Sequence, residues 1–395
     1  MSDQSSFKPD EFSFAKGGPF FRALVRTRLM RHDLALVHRR AVFFSLFAWL
    51  PLLVFSALEG LAFGQATKIP FLYDFTISVR LLLALPLLFV AEVVIEARTV
   101  EAVRHLAQSG LVEERSFPEF EAIIRKALSM RDSHLAEGVI LVVVIFSTAF
   151  LRLEFSGSSS TWQLLVSPSG VTRTMAGWWH VLVSLPIFQF LMGRWFWRYL
   201  IWFWVLWRIS RLDLQLIPTH PDRAAGLGFL GIAQGKFGII VLALSSILSA
   251  YVGEEILFGG ASLVGYQMMI LGYVVLVLLV LLGPLLVFSS RLFEVQRRGL
   301  LEYGALANQY TRSFDRKWIR GEAPVGEALI GSSDIQSLAD LANSFQIIRE
   351  MRPAPIDLWG TVVPMVACAV APLLPLALTV LPVDEIIARI IKIIL

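Results

Sequence analysis

One stretch of this chain constrains its fold more than any other: residues 177–211, where tryptophans are interleaved with arginines. It holds seven of the eleven tryptophans, together with Arg194, Arg198, Arg208 and Arg211. Tryptophan favours the interface between a bilayer and water. As a helix, these 35 residues would extend about 50 Å, well beyond the roughly 30 Å of bilayer hydrocarbon. The stretch therefore predicts a membrane-crossing helix that is tilted or continues out of the bilayer.

The composition of the whole chain indicates the same class of protein. Of its 395 residues, 56% are hydrophobic and 17% are charged, whereas a soluble domain carries about 25% charged residues. Cys368 is the one cysteine, which argues against a disulfide framework and a cysteine metal site. The sequence also lacks a P-loop and a dinucleotide fingerprint. We predict an all-α, polytopic integral membrane protein without a cofactor.

Hydropathy divides the chain into about seven membrane spans, each of which lies in the lipid bilayer. We place them near residues 41–63, 77–97, 138–153, 178–203, 229–252, 264–290 and 360–381. The third is short, and residues 382–395 are amphipathic rather than spanning. The sequence therefore predicts seven transmembrane helices with helical extensions beyond the membrane.

The distribution of lysine and arginine predicts the orientation. With the N-terminus inside, seven crossings make residues 1–40, 97–136, 208–227 and 291–358 the inner segments, and these hold 26 of the 35 basic residues. The outer segments hold 4. We therefore predict a cytoplasmic N-terminus, an external C-terminus and a multi-pass location in the inner (plasma) membrane of the cell.

This topology predicts six regions along the chain. They are a cytoplasmic tail with a basic interfacial helix (1–40), spans one and two (41–97), a cytoplasmic helical segment (98–136), spans three to six (137–290), a cytoplasmic helical region (291–358), and span seven with an amphipathic C-terminal segment (359–395). In the basic helix, apolar residues such as Phe21 and Leu24 would face an anionic leaflet. Its position directly before a span argues against nucleic-acid binding.

Two of the cytoplasmic segments contain helix signals. Ser116 and Glu119 have the S-x-x-E form of a capping box. A second helix is expected to start at Ser333 and to carry an apolar stripe over residues 335–348. Such stripes need a partner surface. Either these helices pack on one another or on the membrane face, or they form an interface, with further copies in a homo-oligomer or with a cytoplasmic protein bound through residues 291–358.

Charged residues inside the predicted spans are the strongest functional signal, because a charge in a bilayer is costly. Glu92 and Glu96 lie one helical turn apart near the inner end of span two. Arg194 and Arg198 have the same spacing near the inner end of span four. Both pairs lie at comparable depth in the bilayer, so we predict that they meet.

Lys236 and Gln234, about two turns inside span five, are expected to join this cluster. Two interpretations stay open. The cluster is either an ion-pair network that holds the helices together near the inner interface, or the lining of a water-filled pathway for an ion or a small anionic solute. An excess of arginine and lysine at a constriction favours anions.

The inner loop at residues 218–228 is the second candidate site. His220, Asp222 and Arg223 lie between two prolines and a glycine-containing entry into span five. Asp222 is suited to cap that span. His220 and Asp222 could instead form a ligand, gating or proton site, because histidine titrates near neutral pH. A metal site lacks further ligands at a suitable spacing.

Several weaker signals complete the sequence analysis. Prolines followed by Leu-Leu or a near equivalent recur at Pro51, Pro86 and Pro284, which we interpret as shared hinge chemistry rather than as a trace of duplication. Such prolines suit either a gate or irregular packing. His180, beside two tryptophans, is interpreted as an interfacial residue, and Glu254 is expected in a solvated outer turn.

These patterns favour an oligomeric channel or a transport-related protein. A membrane scaffold or signalling subunit, which would bind a partner through its cytoplasmic helices, is the alternative. A further alternative is a membrane-embedded enzyme that acts on lipid at the inner leaflet through His220 and Asp222, although the sequence identifies no catalytic residue. The substrate, its selectivity and the gating stimulus are not encoded in any recognisable pattern.

Overall fold

The chain is mostly helical. The computed structural model describes residues 12–14, 16–27, 36–64, 67, 69–153, 161–167, 170–324, 327–329 and 332–379. Its α helices are α1 (Gly18–Arg26), α2 (Val37–Leu58), α3 (Phe75–Val79), α4 (Leu85–Gln108), α5 (Phe117–Arg131), α6 (His134–Leu153), α7 (Met175–Trp179), α8 (Leu185–Ile209), α9 (Gly228–Gly235), α10 (Gly238–Gly259), α11 (Leu263–Leu282), α12 (Ser289–Phe314), α13 (Ser333–Arg349) and α14 (Val363–Val370).

Shorter elements join or extend these helices. Strands β1 (Leu164–Ser167) and β2 (Gly170–Arg173) form an antiparallel hairpin in which Leu164 pairs with Arg173. The 3-10 segments are Phe71–Tyr73, Glu114–Ser116, Gly283–Phe288 and Ala371–Thr379. The π-helical turns are Arg80–Ala84, His180–Ser184, Asp315–Ile319 and Leu358–Val362.

Six helical runs are long and apolar enough to cross a membrane. They are Val37–Leu58, Phe75–Gln108, Met175–Ile209, Gly228–Gly259, Leu263–Ile319 and Leu358–Thr379. A seventh is counted if α5 and α6, which meet at a bend of 41°, form one span. This pair contains the short third span of the sequence analysis. The architecture is that of a helical, multi-span membrane protein, while the count of seven and the orientation stay predictions.

The bundle has two distinct ends. One end carries α5, α12, α13 and the loop between α8 and α9, and we call it the basic end because these segments hold 10 of the 29 described lysines and arginines. The opposite end, with the β hairpin and the start of α3, is called the far end. A continuous apolar core extends along the bundle and includes Phe89, Trp195 and Phe288.

A proline shapes the start of α4. Pro86 has no N–H to donate to the preceding turn, and that turn, Arg80–Ala84, is widened to a π helix. Asp74 caps the same run, because its Oδ1 accepts the Ile77 N–H at 2.8 Å. The run therefore consists of a capped single turn, a π turn and the long helix α4.

The same arrangement recurs 100 residues later, in the run that ends in α8. Thr174 caps this run by accepting the Gly177 N–H at 2.9 Å. The π turn is His180–Ser184, and Pro186 follows it. Two of the spanning runs thus have equivalent caps, π turns and prolines in equivalent order.

The prolines that the sequence analysis grouped together differ from one another. Pro51 lies within the continuous helix α2, whereas Pro284 lies in a 3-10 segment. Pro86 follows a π turn and is matched by Pro186 instead. The prediction of one shared hinge was wrong, because the backbone before each proline is different.

Helix α5 forms at the predicted place but without the predicted cap. The helix starts at Phe117, and Ser116 makes no side-chain capping hydrogen bond. Glu119 pairs instead with Arg208 of α8, at 3.1 Å between Oε1 and Nη2. The apolar residues of α5, among them Phe120, are buried against α8. The stripe on this segment, which the sequence analysis predicted to be cytoplasmic, therefore packs within the chain.

Helices α12 and α13 form a pair beyond the spanning part of the bundle. Helix α12 continues the sixth run to Phe314, and α13 starts at Ser333 as predicted. Gln296 of α12 donates to the Ile348 carbonyl at the end of α13, at 3.1 Å. Ile348 is buried, whereas Ile335 at the start of the stripe is 44% exposed. The predicted stripe is therefore only partly covered by the chain itself.

The N-terminal segment, residues 12–27, packs on the bundle. Phe12 and Phe14 are buried, and α1 turns Phe21 and Leu24 towards the protein. The sequence analysis expected these apolar side chains on a membrane leaflet. Most of the expected tail (1–11), part of the expected basic helix (28–35) and the amphipathic C-terminal segment (382–395) lie outside the described residues.

Candidate functional site

A buried group of charged side chains lies between the helices near the basic end. We call it the charged cluster, and its members come from four helices: Arg40, Glu92, Glu137, Arg194 and Arg198. Glu92 is its centre. One carboxylate oxygen lies 2.7 Å from Arg40 Nη1, and the other lies 2.9 Å from Arg198 Nη1 and 3.8 Å from Arg194 Nη1. A single carboxylate therefore joins helices α2, α4 and α8.

The second carboxylate of the cluster belongs to α6. Glu137 Oε1 lies 3.4 Å from Arg194 Nε, and its Oε2 accepts the Phe20 N–H at 2.9 Å. The Arg194 guanidinium also lies 4.6 Å from the centre of the Phe20 ring. This distance permits a cation–π contact. Helix α1 thus covers the cluster with both its N-terminal backbone and an aromatic ring.

Glu96 lies one turn after Glu92 and faces the N-terminal segment. Its Oε2 accepts the Phe14 N–H at 2.8 Å. The Phe14 ring meets Trp202 edge to face, with ring centres 5.8 Å apart. The structure thus brings Glu92 together with Arg194 and with Arg198, whereas this oxygen of Glu96 binds backbone.

Charges are nearly balanced in the cluster. Three arginines face two glutamates, and Glu96 beside them brings the formal sum to zero. Desolvating each charge costs several kcal/mol, which only good pairing offsets. Arg198 Nη2 is buried without a hydrogen-bond partner among the described residues. The cluster therefore holds the helices together although Arg198 is not fully hydrogen-bonded.

Lys236 does not join the charged cluster, contrary to the prediction. It lies at the break between α9, which ends at Gly235, and α10, which starts at Gly238. This break changes the direction of the side chain from that in a continuous helix. Among the described residues Lys236 has no ion pair within 4 Å.

Gln234 is fully buried and also lies apart from the charged cluster. It accepts the Trp202 indole N–H at 2.8 Å and donates to the Leu281 carbonyl at 2.6 Å. Both ends of its amide are used. Gln234 therefore links α8, α9 and the end of α11, which is a structural task.

In the loop at residues 218–228, Asp222 organises the backbone. Its carboxylate accepts the N–H groups of Ala224 and Gly228, each at 2.8 Å, and of Gly226 at 3.1 Å. His220 Nδ1 lies 2.8 Å from Asp222 Oδ1. Burial alone would raise the pKa of Asp222, but these hydrogen bonds outweigh it, so that the pKa is lowered.

The same loop is tied to the end of α13. Arg223 Nη2 lies 3.0 Å from Glu350 Oε2, and the Arg223 carbonyl accepts the Arg352 N–H at 2.7 Å. Arg223 has a φ of 55°, a left-handed conformation that is uncommon outside glycine. Together with the role of Asp222, this geometry favours a structural task for the loop. In the part of the chain that the structure describes, no group of three or more His, Cys, Asp or Glu residues is placed to hold a metal ion.

A cavity of about 720 Å³ lies at the far end of the bundle. Arg80 and His180 both line it, and each is the first residue of its π turn. Helices α8, α10 and α11 supply the rest of the wall. Since binding pockets typically measure about 300–1,000 Å³, this volume is sufficient for a small molecule.

Trp162 connects the two capped runs beside this cavity. Its indole N–H donates to Asp74 Oδ2 at 2.9 Å, and its carbonyl accepts the Thr174 hydroxyl at 2.7 Å. Its ring centre lies 5.9 Å from that of His180. One buried tryptophan therefore holds the caps of both runs in fixed positions.

Sequence reasoning missed the residues at the far end. Beside tryptophans, His180 was interpreted as interfacial, but it is 5% exposed. Glu254 was expected in a solvated turn, but it lies in α10 and accepts the Thr76 hydroxyl at 2.8 Å. The equal spacing from cap to proline in the two runs is a signal that could have identified Arg80 and His180. Arg40 was missed because it was counted as a loop charge.

Comparisons with known proteins give no relative of this chain. Neither protein-family models, nor curated proteins, nor solved structures match it.

Proposed function

We propose that this integral membrane protein provides a gated path for a small solute, as a channel or a transporter, and that the charged cluster is the gate. The observation that carries the proposal is the position of Glu92. Three buried arginines from two other helices surround this one carboxylate, beneath the N-terminal segment. Such buried charges in a membrane mark functional sites by default.

The relation between the cluster and the cavity supports a path. Arg80 and Glu92 lie 12 residues apart on one helical run, and His180 and Arg194 lie 14 residues apart on another. At helical rise these separations are about 18 and 21 Å. A solute in the cavity would therefore meet the charged cluster next on its way to the basic end. With the predicted topology, that end faces the cytoplasm.

The composition of the cluster favours a gate over a simple brace. Arg194 contacts carboxylates on two different helices, Glu92 at 3.8 Å and Glu137 at 3.4 Å. Neither distance is short, so a small helix movement can exchange one partner for the other. Opening of the gate would expose arginines, and an excess of arginine at a constriction favours anions.

We further propose that the protein acts as a homo-oligomer in the inner (plasma) membrane. Outside the charged cluster and the far-end cavity, the spanning helices carry few polar residues. One chain alone therefore has little material for a continuous aqueous lining, whereas several copies can share one. The substrate is a small anion in this proposal, and no cofactor takes part.

Flux through reconstituted proteoliposomes tests the gate. We expect Arg194→Gln and Glu137→Gln to raise chloride efflux at least about tenfold over the parent protein, because each removes at least one buried ion pair, and a loss of about 1.4 kcal/mol corresponds to tenfold in rate. Lys236→Gln is the matched control, since it neutralises a half-buried cation outside the cluster. Efflux equal to that of protein-free vesicles in both cluster variants, with thermal unfolding unchanged, would reduce the cluster to a brace.

A scaffold is the second candidate function, and one observation favours it. Beyond the spanning part, α12 exposes Leu301 (69%) and Leu306 (51%), and α13 exposes Ile335 (44%). Exposed apolar side chains on a helix pair suit an interface. Leu301→Glu should then lower the mass of the purified assembly measured by light scattering, whereas Arg298→Glu, an exposed change on the same helix, should not. An unchanged mass with Leu301→Glu would remove this face from any contact between copies.

A further inference from the structure

We propose that the far-end cavity binds an amphiphile with one negatively charged headgroup, a carboxylate or a phosphate. Arg80 would hold the headgroup, and the apolar wall of α8 and α10 would hold the body of the molecule. This is a statement about binding, and it holds whether or not the charged cluster is a gate. Its observations are separate from those at the basic end.

Arg80 is the feature that selects a negative charge. It is the one charged side chain that lines the cavity within the described part of the chain. Among the described residues its side chain has no salt bridge within 4 Å and no hydrogen bond, although the carboxylates of Asp74 and Glu254 attract it from beyond that distance. Its one recorded contact of this kind is a cation–π approach to Phe188, at 5.9 Å from the ring centre. A partly buried guanidinium without a direct ion pair can form one with a ligand.

The carboxylates near Arg80 are occupied elsewhere. Asp74 accepts the Ile77 N–H and the Trp162 indole N–H, at 2.8 and 2.9 Å. Glu254 accepts both the N–H and the hydroxyl of Thr76, at 3.3 and 2.8 Å. Neither carboxylate lines the cavity. Both lie near enough to attract Arg80 but form no direct ion pair with it, so a ligand headgroup could still bind the guanidinium.

Two further polar side chains stand beside Arg80 in the cavity wall. His180 is 5% exposed, and its buried Nδ1 has no hydrogen-bond partner among the described residues. Gln163, which is half-buried, also lines the cavity, and its side chain has no hydrogen bond among the described residues. A buried polar group without a partner is costly. A ligand headgroup with several acceptor oxygens would satisfy such groups together with Arg80.

Most of the remaining wall is apolar, although Thr76, Gln189, Tyr251 and Tyr273 also line it. Val181, Leu185 and Phe188 come from the α8 run, and Ile247 and Leu248 come from α10. Ligand sites combine an apolar lining with a few convergent polar groups, which is the arrangement here. The one charged group lies on a π turn and the apolar groups lie mainly along two helices, so the fitting molecule has a charged end and an apolar body.

The π turns explain why these polar side chains reach the cavity. A π turn widens the helix by one residue and rotates the side chains that precede it, and such turns are frequent at functional sites. Arg80 and His180 occupy the same place in their turns, 100 residues apart in the chain. The two turns therefore present one cation and one imidazole to a common space.

Photolabelling of the full chain in nanodiscs tests this binding. The probe is palmitate that carries a diazirine in its chain, and the labelled peptides are identified by mass spectrometry. We expect label on residues 181–189 and 244–251, and competition by palmitate but not by hexadecanol, which has the same chain without the charge. Label elsewhere, or equal competition by hexadecanol, would overturn the proposal.

Variants separate the headgroup site from the apolar site. Arg80→Gln should reduce labelling about tenfold or more, because a charge-assisted pair is lost, whereas Arg80→Lys should keep it within about threefold. Leu248→Trp should also abolish labelling, because it fills the apolar part and leaves Arg80 in place. Glu254→Gln should increase labelling by removing a nearby negative charge.

Lys236→Gln is the matched control, since it removes a half-buried cation outside the cavity and should leave labelling unchanged. Each variant is checked for an unchanged melting temperature. If Arg80→Gln fails to fold, Arg80→Lys and Leu248→Trp still decide the matter. Full labelling of a folded Leu248→Trp protein would refute the site.

Nanodisc composition then distinguishes the two sources of such a ligand. If phosphatidylglycerol in place of phosphatidylcholine suppresses labelling, the cavity takes the phosphate headgroup of an anionic lipid. If labelling is the same in both bilayers, the cavity takes a free carboxylate amphiphile. Both results support the proposed chemistry, and absence of labelling in both bilayers contradicts it.

Discussion

The charged cluster and the far-end cavity lie on the same two helical runs, yet they differ in how their charges are paired and in how closely they are packed. At the basic end, Glu92 pairs with arginines at 2.7 and 2.9 Å, and aromatic side chains fill the surrounding space. At the far end, Arg80 has no ion pair within 4 Å among the described residues, and it lines a cavity of about 720 Å³. Ion pairs between helices therefore fill the space at the basic end, whereas at the far end a cavity lies beside Arg80.

The largest expected effect tests whether the charged cluster contributes more to the free energy of unfolding than the far end does. Glu92→Ala leaves three arginines without their common partner, and we expect a loss of about 3–5 kcal/mol in the free energy of unfolding. Arg80→Ala removes at most a cation–π contact, worth about 1 kcal/mol. Thermal unfolding in detergent measures both. Equal losses would erase the contrast between the regions.

A smaller effect is expected at Trp162, which connects the two capped runs at the far end. Trp162→Phe keeps the ring but removes the indole N–H that binds Asp74, leaving a buried carboxylate oxygen without that donor. We expect a loss of about 1–3 kcal/mol in the free energy of unfolding. Trp204→Phe is a control on α8, because the structure records no hydrogen bond for that indole among the described residues. A matching loss in the control would mean that ring size alone matters.

Double-mutant cycles sharpen the comparison further. Glu92→Gln and Arg198→Gln, made singly and together, should show a coupling energy of about 0.5–3 kcal/mol, because these side chains are in contact. The same cycle with Arg80→Gln and Glu254→Gln should give less than about 0.5 kcal/mol, since these groups lie beyond ion-pair distance. Coupling of similar size in both cycles would show that Arg80 is paired after all.

The smallest effect is expected in the loop outside both regions. The pKa of Asp222 is lowered in the folded protein from its ordinary value of 3.8. Its ionised form therefore adds stability above about pH 4, and this contribution is lost as the pH falls through the lowered pKa. We expect stability to fall more between pH 7 and pH 3 in the parent protein than in Asp222→Asn. Parallel curves would show that this carboxylate does not titrate as proposed.

The sequence was sufficient for those features that depend on long apolar runs and on local spacing. Mean hydropathy located the spans, and the spacing of Glu92, Arg194 and Arg198 at similar depth predicted neighbours that the structure does bring together. Helical periodicity likewise placed α5 and α13. These signals are local in sequence, so they can be interpreted without knowing how the helices pack.

Features that depend on backbone irregularity could not be predicted in this way. Lys236 was placed by assuming a continuous helix, but it lies at the break between α9 and α10. Arg80 and His180, which line the cavity, each begin a π turn that the sequence analysis did not predict. Glu96 takes a backbone N–H partner from the segment predicted as a polar tail, and Glu137 takes one from the start of the predicted basic helix. Because these contacts use main-chain N–H groups, the residue types of the N-terminal segment do not predict them.

The way in which the N-terminal segment covers the cluster has a consequence for variation in this protein. Glu96 and Glu137 bind main-chain N–H groups, those of Phe14 and Phe20. Point replacements there, apart from proline, would keep both bonds, while adding or deleting a single amino acid between them would misalign one. The length of this segment therefore matters more than the identity of its residues. We expect insertions and deletions between Phe14 and Phe20 to be far less tolerated than single substitutions.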